Sequence, residues 1–383
     1  MVEIKAFETD DAAMTFLMSL GAYPNLLPVV PLKGEAAHEV AVGPVHAGVI
    51  EPGHFRFQCM GEDVYNLQIF LGYQHRGVCD EIVRADGNIA RQTALAETCA
   101  GDTSIAAATA FAEIIETVTP LSTSSDTLRL RELLLELERI ANHVGDLGAL
   151  AGDVAFLPTA SFCGRIRGEY LNMTALICGN RFGRHAVVPG GMRCTLTEEK
   201  RVKLRNWIRT VKKDLDAALR LMFESPTVCD RLDGTGLVPK DVAESLGLVG
   251  VARRASVELN GDVLSRALIR RMEIEEAHQK VEGILEGIRD QGSGTREDEP
   301  GRRMTLDLRP STFACVVATT QAWRGPLVHA AVFDSAREMV AYHIVDPSVH
   351  NWQGLAWALR GEQISNFPIC NKSFNLSYCG TDC

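Results

Sequence analysis

With 383 residues, 46% hydrophobic and 23% charged, the chain can build a sizeable core, which excludes a disordered segment and a small stapled scaffold. Its 49 acidic against 39 basic residues leave a formal net charge of −10, which argues against nucleic acid as a partner, because that affinity needs clustered Lys and Arg. No run approaches the roughly eighteen uncharged apolar residues of a spanning helix, and MVEIKAFETD lacks the parts of a secretory signal, so a soluble, cytoplasmic chain that can still dock on a membrane complex is expected.

Residues 1–90 contain short alternating runs in VPLKGEAAHEVAVGPVHAGVIEPGHFRFQCMGEDVYNLQIFLGY, broken by Gly-Pro and Pro-Gly, which predicts a β-rich region of antiparallel strands and turns. From Ala90 the period changes. TSIAAATAFAEIIETV and SSDTLRLRELLLELERIANHVGDLGALAGDVAF repeat apolar residues at helical spacing, with Ser125 or Asp126 as N-cap of the second. GEYLNMTALICGNRFGRH, EEKRVKLRNWIRTVKKDLDAALRLMFES and SRALIRRMEIEEAHQKVEGILEGIRD continue a helical region over 91–290, with amphipathic faces suited to a bundle core. QGSGTREDEPGRR, at 291–303, is polar and Gly-rich and predicts a flexible loop. In the remainder of 291–383, STFACVVATTQAW and GPLVHAAVFDSAREMVAYHIVDP predict strands or short mixed elements, and the chain finishes without an obvious helix.

Eleven cysteines, spread from 59 to 383, fit a reducing compartment better than a disulfide framework, and most are expected as buried thiols. Polar and thiol groups gather in GPVHAGVIEPGH, in GYQHRGVCDEI through ETCAGDTS, and in NKSFNLSYCGTDC. Thiolate metal sites typically need paired Cys-x-x-Cys motifs, and no Cys-x-x-Cys occurs in this chain. Cys379 and Cys383 make a half-site at most, completed only by isolated Cys79 or Cys99, so no metal is assigned. The turn of His75, Arg76 and Gly77 suits either proton handling with anion binding or a plain loop hydrogen bond. His46 and His54 flank a Pro-Gly turn, where a structural hydrogen bond is the default. The Gly pairs of VVPGGM and LDGTGL lack a following helix at phosphate-binding spacing, so no dinucleotide or P-loop fingerprint is present.

Taken in order, GPVHAGVIEPGHFRF, LGYQHRGV, LELERIANHVGDLGALAGDVAF, GNRFGRHAVVPGG, SPTVCDRLDGTGLVPKDVAESLGLVGVARRAS and LRGEQISNF resemble the large subunit of nickel–iron hydrogenases, specifically the membrane-bound energy-converting group. They also resemble its relative, the quinone-site subunit of respiratory complex I, of the 49 kDa type. The resemblance implies an α+β fold: an N-terminal antiparallel β region packed on a central bundle of long helices, with the C-terminal segment returning to an active-site-like cavity beside Cys99. It implies an iron–sulfur small subunit, other peripheral-arm subunits and membrane subunits as partners, at the cytoplasmic face of the inner membrane.

In active hydrogenases of this family, two Cys-x-x-Cys motifs supply four thiolates to nickel and iron. Laid on this chain, the first falls on Ala96 and Cys99, with Thr103 at the family's histidine, and the second on Ser377 and Gly380, with Asn375 and Leu376 at its Asp-Pro. Ala and Gly offer no donor and Ser a hard, poorly ionised one, so the resemblance implies that this chain binds no nickel–iron pair and that the iron–sulfur cluster lies in the partner. The glutamate of the RGxE motif becomes Cys79, followed by Asp80 and Glu81; Arg337 is laid on the family's active-site arginine, with Glu338 at the usual glycine. The complex I branch holds a quinone headgroup through a histidine and a tyrosine, whose positions fall on Ile50 and Thr98. The chain stops at Cys383, about the family's mature end, so no extension is expected for a maturation protease.

The expected function is a large-subunit-like component of a membrane-associated oxidoreductase complex, related to energy-converting hydrogenase or NADH-quinone oxidoreductase. The vacated cavity would take a quinone or another small redox partner, or serve coupling; the alternative is a non-catalytic scaffold subunit. Candidates for chemistry are Cys99, His75, Arg76, Arg337 and Cys79, and His46, Thr103, Ser377, Tyr378 and Cys379 are expected to line the cavity. A redox role for the thiols gains if Cys79, Cys99 and Cys379 converge in space.

Overall fold

The computed structural model describes residues 1–21, 32–46, 50–85, 87–287 and 313–383. The loop expected over 291–303 lies outside the described residues. The chain begins with strand β1 (Val2–Phe7) and helix α1 (Asp10–Ser19), capped by Thr9, whose side chain accepts from the Ala12 amide. Strands β2 (Ala37–Val42), β3 (His54–Met60) and β4 (Asp63–Phe70) form an antiparallel meander. In β3 the period of two sends Phe55, Phe57 and Cys59 to the core and the residues between them toward the other face.

Short helices α2 (Val78–Arg84) and α3 (Ile89–Ala96) lead into α4 (Ser104–Val118), nearly all of which is buried. Its alanines at 106, 107, 108, 110 and 112 keep the helix thin enough to be enclosed on every side. Then come α5 (Ser125–Asp153) and α6 (Leu157–Cys178), which pack along their lengths. Ser124 caps α5, one residue before the two expected positions, its side chain accepting from the Thr127 amide. Leu130, Leu133, Leu134, Leu137, Ile140 and Ala141, at helical spacing, carry α5 into the core.

A minimal hairpin, β5 (Val187–Val188) with β6 (Gly191–Met192), precedes α7 (Glu198–Phe223) and the short α8 (Pro226–Leu232), α9 (Lys240–Ser245) and α10 (Gly250–Glu258). Helix α11 (Val263–Gly287) returns against α5. The chain re-enters the described residues as β7 (Phe313–Ala322), β8 (Gly325–Phe333) and β9 (Met339–Val345), and β1 pairs antiparallel with β7 to give the sheet order β1-β7-β8-β9. All three sheets are antiparallel and pack with the helices, so the class is α+β.

After β9 the structure departs from the expectation of no helix: α12 (Pro347–Ala358), α13 (Phe367–Phe374) and α14 (Tyr378–Thr381) follow. Helix α12 is buried on most sides and so carries no apolar stripe against a polar face, which is the pattern by which surface helices are recognised. Two buried arginines of α11 hold this terminal segment in place. Arg266 donates to Ser373 Oγ and to the carbonyls of Gly236 and Gly261; Arg270 pairs with Asp146 at 2.8 Å and donates to the Phe374 carbonyl.

Candidate functional site

The site is where the 96–103 loop, between α3 and α4, meets the segment that begins at Asn375. Asn375 ends α13 in the left-handed region at φ +47°, which turns the chain back toward α4. Ser377 then caps α14: its Oγ accepts from the Gly380 amide at 2.9 Å, and its own amide donates to Ser348 Oγ at 2.8 Å. Cys99 and Cys383 are joined by a disulfide, their Cα atoms 6.1 Å apart across 284 residues of sequence. This corrects the expectation of free thiols at these two positions; the other nine cysteines are free.

A charged frame backs the two loops. Arg324, at the head of β8, grips both oxygens of Asp102 at 2.8 and 2.9 Å, donates to the Asn375 carbonyl at 2.7 Å and stacks on the Trp323 ring. Burial alone would raise the Asp102 carboxyl, and the Arg324 guanidinium overcomes it, holding that carboxyl below its usual range. The Asn375 amide donates to Asp146, which pairs with Arg270. Asp346, at the N-cap of α12, lies beneath Gly380; burial raises its carboxyl, opposed by Arg324. Behind Asp102, Glu138 accepts from the Ile105 and Ala106 amides, and burial pushes its carboxyl up to about 8.

Two further turns close the front. Asp382 accepts from the Gly72 and Gln74 amides at 2.7 and 2.9 Å, His75 Nδ1 lies 3.1 Å from the Asp382 carbonyl, and Arg76 donates to the Cys99 carbonyl at 2.9 Å. His75 and Arg76 are thus surface residues pinned to the disulfide loops. Glu51 accepts from the Cys379 amide at 3.2 Å, with the Cys379 thiol 3.8 Å from its other oxygen. Burial raises the Cys379 thiol, opposed by its contact with Ser377. A Cβ at Gly53 would meet the Tyr378 ring at 2.7 Å, so the 50–54 turn sits directly on α14. His46 Nε2 contacts the Gly53 carbonyl at 2.7 Å and His54 Nδ1 the Gly43 carbonyl at 3.3 Å, the structural bonds expected of turn histidines.

Of the residues singled out from sequence, Cys99, His75, Arg76, Thr103, Ser377, Tyr378 and Cys379 come together here. Thr103 Oγ1 lies 3.0 Å from Asp102 and 3.4 Å from Arg324. Tyr378 is buried between Phe55 and Trp352, its hydroxyl accepting from Asn371, and burial pushes it up to about 12. Cys79 lies on α2 against β9, packed on the cluster that holds Cys99 and lining a cavity with Cys383; burial pushes its thiol up to about 11. Arg337 is a correction. It sits at φ +67° in the exposed β8–β9 turn, about 25 Å along β8 from the site at ~3.3 Å per residue. The arginine that pairs with Asp102 at the site is Arg324, followed by Gly325. Glu51, Asp102, Asp346 and Asp382 were also missed; only Asp102, beside Thr103 in AGDTS, carried a positional hint.

At the four thiolate positions of the resembled family stand Ala96, Cys99, Ser377 and Gly380. The Cys99 sulfur is bonded to Cys383, and Ser377 Oγ serves the α14 cap. At Gly380 a Cβ would meet Asp346 Oδ2 at 2.7 Å and Ser377 Oγ at 2.8 Å. These residues do not fit a thiolate-bridged nickel–iron pair. No group of three or more His, Cys, Asp or Glu among the described residues is arranged to hold a metal ion. Beside the disulfide, a cavity of about 460 Å³ is lined by His75, Cys79, His343 and Cys383, with Met14 and Val83 on its apolar side.

Comparison with known proteins gives one family match and a consistent set of relatives. The model of the respiratory-chain NADH dehydrogenase 49 kDa subunit matches residues 153–258. Hydrogenase-4 component G of Escherichia coli is 24% identical over 93% of this chain and 63% of its own length, and formate hydrogenlyase subunit 5 of the same organism 23% identical over 98% and 66%. NADH-quinone oxidoreductase subunit 4 of Thermus thermophilus is 26% identical over 84% of this chain and 88% of its own. The chain therefore spans just under two thirds of the length of the two E. coli relatives. A chain from the membrane-bound sulfane sulfur reductase, an archaeal respiratory membrane complex, shares the fold at a TM-score of 0.78 and 20% identity, covering 92% of this chain and all of that one. No helix among the described residues is long and apolar enough to cross a membrane.

Proposed function

Starting from the finding that this chain is a homologue of subunits of membrane-bound hydrogenases and of NADH-quinone oxidoreductase, we propose that it is the large-subunit component of a membrane-associated oxidoreductase complex whose central site works without a nickel–iron pair. The observation that carries this reading is the state of the two converging loops. The fold still brings them together, backed by the Asp102–Arg324 pair, while three of the four thiolate positions are Ala96, Ser377 and Gly380 and the fourth is a disulfide.

In this reading an iron–sulfur small subunit packs against the chain, other peripheral-arm and membrane subunits complete the assembly at the cytoplasmic face of the inner membrane, and the 460 Å³ cavity takes a small redox partner. A quinone held as in the complex I branch is the less favoured occupant. The positions of its two hydrogen-bonding partners carry Ile50, half-buried against the core, and Thr98, whose hydroxyl donates to the Leu95 carbonyl at 2.7 Å. The test is purification from solubilised membranes through a tag on this chain. Co-elution with an iron–sulfur protein and membrane subunits is the expected result; a chain that elutes alone from gently solubilised native membranes contradicts the assignment.

A further inference from the structure

We propose that Cys99–Cys383 is a thiol–disulfide exchange centre whose substrate is a small thiol and its disulfide, entering through the cavity beside Cys383; this deepens the metal-free reading above and rests on it. The two sulfurs are unequally placed. Cys99 is 1% exposed, whereas Cys383 is half-buried and lines a cavity of about 460 Å³. An incoming sulfur therefore meets Cys383 first. Cys79 lines the same cavity, but burial keeps its thiol protonated near neutral pH, so it is a wall and not the nucleophile.

The bond is also not needed to hold the turn that carries it. Ser377 caps α14, Trp352 donates to Thr381 at 2.8 Å, Tyr378 packs on Phe55 and Trp352, and the Asp382 carboxylate holds the Gly72 and Gln74 amides. With these contacts intact, the sulfurs stay face to face when the bond opens, and the centre can cycle. On the other side, Arg76 donates to the Cys99 carbonyl and sets a guanidinium beside the loop where a Cys99 thiolate would form.

The exchange balances without a further redox partner. A thiolate RS⁻ attacks Cys383 Sγ, the Cys99–Cys383 bond breaks, Cys99 leaves with the electron pair, and a mixed disulfide Cys383–S–SR forms. A second RS⁻ attacks the sulfur of that R group, releasing RSSR and the Cys383 thiolate. The two protons lost by the thiols end on the two cysteines. Two RSH are oxidised to RSSR, one protein disulfide is reduced to two thiols, and the reverse sequence reduces RSSR.

The test uses the chain in its native complex with β-mercaptoethanol as probe, followed by acid quench, denaturation, alkylation and peptide mass analysis. Alkylation of Cys99 and Cys383 is expected to rise about tenfold after native exposure to the thiol, and to reverse with its disulfide. In Cys99→Ser, exposure to the probe's disulfide, bis(2-hydroxyethyl) disulfide, is expected to leave one probe half on Cys383 as a mixed disulfide with the other half released as thiolate, and in Cys383→Ser about tenfold less should appear on Cys99. A bond that stays oxidised until the protein is unfolded, or an adduct on the wild-type chain that falls on Cys99 or Cys79 in place of Cys383, overturns the proposal. The wild-type measurement does not depend on a variant folding. Nickel found beside an exchanging bond would sink the metal-free reading alone, and an inert bond without nickel would sink this one alone.

Discussion

Gly380 shows at a single residue how tightly the site is filled. The space that a side chain would take at 380 is held by Asp346 and by the Ser377 hydroxyl that caps α14. Gly380→Ala is expected to cost about 1–3 kcal/mol in chemical denaturation, as overpacking of a filled interior does. Arg324→Leu strips Asp102 of its bidentate partner and the Asn375 carbonyl of its donor. Because Asp102 is a third exposed, the expected loss is about 2–3 kcal/mol, below the ~3–5 kcal/mol of a wholly buried pair. Glu138 gives a pH signature. Its carboxyl, raised to about 8, stays protonated in the folded chain while the unfolded chain ionises near 4.5, so its stabilising effect is complete below about pH 4.5 and is lost as pH rises toward 8. Wild-type stability should fall across that window by up to ~1.4 kcal/mol per pH unit more than that of Glu138→Gln; equal slopes would refute the assignment. At this scale the sequence was a partial guide. The lost donors at 96, 377 and 380 could be read directly, because absence of a thiol is a property of the letter alone. The arginine that partners Asp102 could not, since Arg324 and Arg337 stand on the same hairpin and only the geometry of β8 separates its two ends.

Among the elements, those with a strong local signal match their expectations and those defined by distant contacts do not. Helix α5 is legible because its leucines recur at helical spacing behind a Ser cap, and the β2–β4 meander because its alternation sets one face against the core. The pairing of β1 with β7, more than three hundred residues apart, has no local signature, and α12 lacks the two-sided pattern that marks a helix in sequence. The terminal turn α14 is held from outside itself, through Asp382. Asp382→Ala is expected to free the 72–75 turn, and amide hydrogen exchange at Gly72 and Gln74 should accelerate at least tenfold, while Asp382→Asn, which keeps one acceptor, protects one amide better than the other. Unchanged exchange at both amides would show that the latch contributes nothing to that turn.

For the whole molecule, the order of motifs from Gly43 to Phe367 foretold an α+β large-subunit scaffold, because a multi-part pattern survives where each part alone is weak. The disulfide was beyond reach: two cysteines 284 residues apart give no spacing to read, and eleven cysteines offer many pairings. The scaffold's relatives are subunits of hydrogenase and NADH-quinone oxidoreductase assemblies, and the proposal that this one works without their metal stands on the missing donors at Ala96, Ser377 and Gly380, the Cys99–Cys383 disulfide and the filled space at Gly380. Nickel content per copy of this chain, measured on the complex purified from its native membranes after growth with nickel supplied, tests that most directly. The expected result is nickel far below one equivalent together with iron from the partner's clusters. Nickel near one equivalent, lost on substitution of Cys99 or Cys379, would contradict it and require the loops at 96–103 and 375–383 to rearrange into a metal site.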